Sequence, residues 1–150
     1  MDLSDYKKLP LLLIGGRFVP EVIELIHRAQ ETIDIIVFDW RLPVGDQYSP
    51  VDDLILALLR AKDRGVAVRI LVANEAIGAR LKLKGFEVRQ VYTKKLMHCK
   101  VMLLDRVVAV VGSHNYTLSA FTLNMEVSVA VRLPEEPNEL SLFFQQLWGW

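Results

Sequence analysis

The spacing of apolar residues changes several times along this chain, and each change predicts an element. Behind Pro20, the residues Val22, Leu25, Ile26 and Ala29 recur at helical spacing, which predicts a helix with the proline at its first position. After Glu31-Thr32 the pattern becomes an unbroken apolar run, Ile33–Val37, closed by Phe38-Asp39-Trp40, and this reads as a buried strand. A loop with Pro43 and Gly45 leads to Ser49-Pro50, followed by Asp52-Asp53. That group is a helix start: a capping hydroxyl, a first-turn proline, and carboxylates at the positive end of the helix dipole. The helix should reach about Arg64, with Gly65 closing it. Val66–Val72 reads as a strand, Glu75–Lys84 as a short helix ended by Gly85, and Phe86–Tyr92 as a further strand.

The second half has a different rhythm. Two apolar runs, Cys99–Leu104 and Val107–Val111, flank Asp105-Arg106 and predict a hairpin. Glu126–Val131 alternates, with Val127, Val129 and Val131 on one face. After the Pro134–Pro137 break comes a last helix, with Leu140, Phe143, Phe144 and Leu147 expected on its apolar side. Strand and helix alternate first, and paired strands follow. That order predicts an α/β fold, a mixed sheet flanked by helices in an α/β/α layered arrangement. No repeat, linker or low-complexity tract divides it, so residues 1–150 read as one domain.

Composition narrows the class. With 52% hydrophobic and 24% charged residues, the chain is built to bury a core and is not a disordered one. Its longest apolar stretch, Leu54–Leu59, ends at Arg60, far short of a membrane span. The run Leu11–Ile14 is too short for the core of a signal peptide. Cys99 is the only cysteine, which excludes an internal disulfide and agrees with a reducing compartment, so the expected location is the cytoplasm. The formal net charge of zero conceals a gradient: −5 over residues 1–53, +2 over 54–79, +6 over 80–106 and −3 over 107–150. A basic middle between acidic ends suits an anion-binding face.

Residues 98–115, HCKVMLLDRVVAVVGSHN, concentrate the chemistry. On a strand, His98 and Lys100 share one face, about 7 Å apart. A neutral imidazole nitrogen is a nucleophile for phosphorus, and a neighbouring ammonium holds the non-bridging oxygens. Ser113 and Asn115, again two apart, add hydrogen-bond donors, which completes a phosphate cup with its own nucleophile. Lys94 and Lys95, close in sequence, are candidates for substrate contact. Trp40 reads equally as a groove-lining residue and as a core tryptophan. Cys99 should point to the face opposite His98, and His27 and His114 read as structural. His98, Cys99 and His114 lack any standard zinc-ligand spacing, and no carboxylate cluster accompanies them, so neither a metal nor another cofactor is expected.

The pattern His98, Lys100, Asp105, Gly112, Ser113 and Asn115 resembles the HKD motif of the phospholipase D superfamily, with all six fixed positions present. The resemblance extends to the small single-motif bacterial endonucleases of that superfamily and spans nearly the whole chain. Asp105, at the predicted hairpin turn and away from His98, reads as structural, holding that turn; the resemblance implies Gly112 as a structural motif residue, and Glu126 as the acid that orients a catalytic histidine across a twofold axis. It implies a phosphohistidine intermediate and, with one motif per chain, a homodimer sharing one site between two His98 side chains. The implied activity is metal-independent phosphodiester hydrolysis. Nucleic acid is the favoured substrate, given the endonuclease resemblance and the basic middle segment. The alternatives are a phospholipase D or phosphatidyl transferase whose loop Trp40–Val44 touches lipid, and a noncatalytic phosphate- or nucleic-acid-binding module.

Overall fold

The computed structural model describes residues 2–149. Its seven strands are β1 (Leu11–Ile14), β2 (Thr32–Val37), β3 (Ala67–Val72), β4 (Glu87–Gln90), β5 (Lys100–Leu104), β6 (Val108–Gly112) and β7 (Val127–Arg132). The helices are α1 (Phe18–Arg28), α2 (Pro50–Asp63), α3 (Glu75–Leu83), α4 (Leu118–Thr122) and α5 (Glu139–Trp148). The strands form one sheet in the order β1-β7-β6-β5-β2-β3-β4. β2, β3 and β4 run parallel through helical crossovers, whereas β5, β6, β7 and β1 pair antiparallel. The expected mixed sheet is therefore present, with β2 at the seam between its two halves.

Helices cover both faces. Ile33, Ile35 and Val37 of β2 point into a core shared with α1–α4, while Ile36 joins a smaller core under α5 that includes Leu103, Ala109, Phe144 and Trp148. β2 carries apolar side chains on both faces because both are roofed, which is why its sequence is a run and not an alternation. Asp34 is the exception. It lies buried beneath α5 and takes a two-pronged hydrogen bond from Arg69 on β3 at 2.8 and 2.9 Å. Burial pushes its carboxyl above the usual carboxylate range, against the pull of the Arg69 guanidinium. Arg69 in turn stacks on Phe144 and Trp148, at 4.9 and 5.3 Å from the ring centres, and so fastens α5 to the sheet.

Local chemistry accounts for the helix ends. Ser49 Oγ accepts from the Val51 N–H at 3.2 Å, Pro50 opens α2, and Gly65 leaves it at φ +95. Five findings correct or add to these expectations. α1 begins at Phe18, so Pro20 is its third residue, which is tolerated because the first four helical N–H groups lack intrahelical partners anyway. Leu11–Ile14 is an edge strand, and residues 118–122 add a short helix. Phe143 is 39% exposed; the buried stripe of α5 runs through Ser141, Phe144 and Trp148. Trp40 is 2% exposed, packed edge-on against Tyr116 with ring centres 4.9 Å apart, and lines no groove.

Candidate active site

Antiparallel pairing gathers the site at one end of the sheet. Val37, the last residue of β2, faces Lys100, the first of β5; Val101 faces Val111; and Gly112, ending β6, faces Ser128 near the start of β7. His98, Lys100, Ser113, Asn115 and Glu126 therefore gather at this end of the sheet from three strand ends, those of β5, β6 and β7.

His98 lies just before β5, exposed, in contact with its neighbour from the motif. The Lys100 ammonium is 3.1 Å from Nδ1 and 3.3 Å from Nε2, and donates to the His98 carbonyl at 3.0 Å. Phe38, at the end of β2, supports both groups: its ring centre is 4.6 Å from that of His98 and 5.6 Å from the Lys100 nitrogen. The sequence reading missed Phe38, because an aromatic residue closing an apolar run looks like core. Cys99 packs against the smaller core, on the side away from Lys100.

Past β6 the side chains alternate in destination. Ser113 and Asn115 turn outward, and His114 between them is 1% exposed. Its Nδ1 accepts from Ser128 Oγ at 2.7 Å, its Nε2 donates to the Gly15 carbonyl at 3.0 Å, and its ring stacks on Phe18 at 4.4 Å. Burial holds the imidazole below its ordinary pKa, only partly offset by the Gly15 carbonyl, and so keeps it neutral. His114 anchors the turn that aims its two neighbours. Gly112 is required there, since a Cβ would collide with the backbone of Ser128. The Asn115 carbonyl oxygen accepts from the Asp39 N–H at 3.2 Å, which orients the amide and leaves its nitrogen as a donor.

Glu126 accepts from Ser113 Oγ at 2.7 Å and from the Asn124 amide at 3.2 Å. Among the described residues, no hydrogen bond joins Glu126 to His98 of the same chain. Asp105 lies at the opposite end of β5. Its carboxylate accepts from the backbone N–H groups of Gln30, Glu31 and Thr32 at 2.9, 2.8 and 3.0 Å, which ties the hairpin turn to the start of β2. Lys94 and Lys95 are exposed on the 91–99 loop and line a cavity of about 340 Å³ together with Met97. His27 is remote from this end, on α1. No group of three or more His, Cys, Asp or Glu side chains suited to a metal ion occurs among the described residues.

A family model described as cardiolipin synthase, PLD-like domain, matches residues 22–148. The chain belongs to the phospholipase D-like family. Phospholipase D Z of Dictyostelium discoideum is 30% identical over 145 residues, covering 84% of this chain and 34% of that protein. Probable cardiolipin synthase YwiE of Bacillus subtilis is 31% identical over 134 residues, covering 82% and 25%. This chain thus spans a quarter to a third of the length of these relatives. Among solved structures, the phospholipase D family member Nuc from Salmonella typhimurium superposes with a TM-score of 0.75 at 25% identity, over 93% of this chain and 95% of Nuc. NucT from Helicobacter pylori shares the fold, with a TM-score of 0.73 at 19% identity over 93% and 94%. No helix among the described residues is long and apolar enough to cross a membrane.

Proposed function

We propose that this chain is a metal-independent phosphodiesterase that hydrolyses nucleic acid, working as a homodimer in which two His98 side chains share one site. The observation that carries the reading is the exposed His98 imidazole held against Lys100, at the same end of the sheet as the Asn115 amide, whose nitrogen has no partner among the described residues. In the first step a ring nitrogen of one His98 attacks phosphorus. The P–O bond to the leaving group breaks, and the His98 of the second copy, as imidazolium, protonates the departing oxygen. That second imidazole, now neutral, takes a proton from water. The hydroxide attacks the phosphohistidine, the P–N bond breaks, and a phosphate monoester leaves. Lys100 and Asn115 hold the non-bridging oxygens and balance charge in both steps, so no metal is required.

Two features support the second copy. Glu126 is engaged by Ser113 and Asn124 and leaves its own His98 without an acid, the arrangement expected if it serves the other copy. From Val107 to Met125 the chain has no Asp, Glu, Lys or Arg, and this stretch ends in Met125, 99% exposed, beside Val127 and Ile14 at 55% and 53%. An uncharged apolar flank of this kind suits burial against a like surface. The basic flank, Lys94, Lys95 and Lys100, faces the polyanion.

Mixing wild type with His98→Ala at varied ratios, with subunit exchange confirmed by a tag, tests the shared site. Activity should follow the square of the wild-type fraction, leaving about a quarter in an equal mixture, against about half for independent sites. Linear dependence with proven exchange defeats the shared-site reading. The phosphatidyl-transfer alternative draws on the family description and on the lipid enzymes among the relatives. A panel of labelled DNA, RNA and phospholipid in EDTA decides it: cleavage of lipid alone replaces the substrate assignment.

A further inference from the structure

Beside the site, the loop of residues 41–49 and helix α4 enclose a groove of about 360 Å³. It begins where the phosphate cup ends. Arg41 lies two residues beyond Asp39, whose N–H holds Asn115, and Thr117 lies two residues beyond Asn115 itself. Two residues span at most about 7 Å of chain, so a group joined directly to the bound phosphate reaches the groove.

The walls have mixed character. Leu118 and Leu123 on one side and the loop segment 42–44 on the other supply apolar surface, Gln47 and Ser119 supply hydrogen-bonding edges, and Tyr48 presents a ring that is 75% exposed. The Tyr48 hydroxyl is bonded to Asp53 in the first turn of α2, which holds the ring in place with a face open. Arg41, with its side chain 78% exposed and its Nε 3.0 Å from Asp39, stands between cup and groove. An acyl chain has no use for an amide, a hydroxyl and a fixed aromatic plane. A nucleobase uses all three, because it has a flat face to stack and an edge of donors and acceptors.

We propose that this groove receives the base of the nucleotide next to the scissile phosphate, stacked on Tyr48, and that the enzyme therefore cleaves unpaired strands. A base inside a duplex has both faces covered and its edge paired, and entering the groove would mean leaving the stack. The proposal rests on the nucleic-acid reading above, and its test separates the two.

The test uses a single strand with one cleavable phosphodiester among methylphosphonates, made with a normal nucleotide or with a stable abasic analogue beside the cleavable bond. On the normal strand, Tyr48→Ala should raise KM roughly tenfold, the scale of one lost stacking contact, and Tyr48→Phe, which keeps the ring but not its bond to Asp53, should recover most of that loss. Wild type should lose a similar factor on the abasic strand, and Tyr48→Ala should lose nothing further there. The same bond in a full duplex should be cleaved at least about tenfold more slowly. Equal cleavage of single strand and duplex, or a Tyr48→Ala enzyme that matches wild type on the normal strand, overturns the groove assignment and leaves the nuclease reading standing. Should wild type cleave no strand but hydrolyse phosphatidylglycerol vesicles, the nuclease reading falls, and the base is the wrong occupant. Tyr48 is exposed enough that its loss leaves the fold intact, and the abasic comparison needs no variant.

Discussion

The β5–β6 hairpin has two ends, and the residues of one sequence motif are divided between them. At the turn, Asp105 is saturated: three backbone N–H groups from another part of the chain fill its carboxylate. At the open end, His98 and Lys100 touch each other and Phe38 but no acid, and the Asn115 amide nitrogen is free among the described residues. Polar groups that are spent within the fold stabilise it, whereas groups oriented and left unspent are available to a ligand. Membership of one motif does not distinguish the two, because spacing along a hairpin records distance from the turn and not which end is exposed.

Substitutions can break this division. His98→Ala should lower turnover by roughly four orders of magnitude or more, the scale of losing a nucleophile, while folding is unchanged by circular dichroism. Activity within about tenfold of wild type would remove His98 from the chemistry. Acid quench of the wild type during turnover should trap base-stable phosphate on His98. Lys100→Ala should cost about two to three orders of magnitude in kcat and raise KM as well, since the ammonium contacts the imidazole and, in the proposed mechanism, also holds the phosphate. At the turn, the sign of the result reverses. Asp105→Ala should lose about 2 kcal/mol of stability to denaturant, with kcat of the folded enzyme within about twofold of wild type. A large drop in kcat without a drop in stability would place Asp105 with the chemistry and dissolve the division.

The smallest effect is a pH dependence at the buried His114. Its neutral form is the folded form, so the folded chain binds fewer protons than the unfolded chain as pH falls through the ordinary histidine value of 6.5. Stability contributed by this group is present above 6.5 and lost below it. Thermal melts between pH 7 and pH 5 should show a falling Tm, and His114→Gln, destabilised at pH 7, should show a shallower fall. An identical slope in the variant would mean that other groups drive it.

Elements with chemical punctuation were legible in the sequence. Ser49-Pro50 with Asp52-Asp53 located α2, and Asp105-Arg106 between apolar runs located the hairpin, whose turn residues adopt φ values of +51 and +58. β1 and α4 were not, because four or five residues are too few for a period to declare itself, and both owe their form to tertiary partners. Period also places a residue on a face without saying what covers that face. Hence Trp40 was left open between groove and core until its contact with Tyr116 put it in the core, and Phe38, two residues earlier, was passed over although it supports the imidazole. The placement of Lys100 followed from alternation with His98; that of Glu126 beside Ser113 needed the pairing of β6 with β7.

The edge pairing of Leu11–Ile14 with Val127–Ala130 joins segments more than a hundred residues apart, and the Gly15 carbonyl that holds His114 follows directly on β1. During synthesis the first strand leaves the ribosome long before its partner exists. Closing so long a loop is entropically slow, while the neighbouring hairpin strands need only local contacts. The turn bearing Ser113 and Asn115 therefore reaches its final rigidity late, when Leu11–Ile14 and Val127–Ala130 meet. A chain made only as far as β5 carries His98 and Lys100 without the turn that places Ser113 and Asn115 near them.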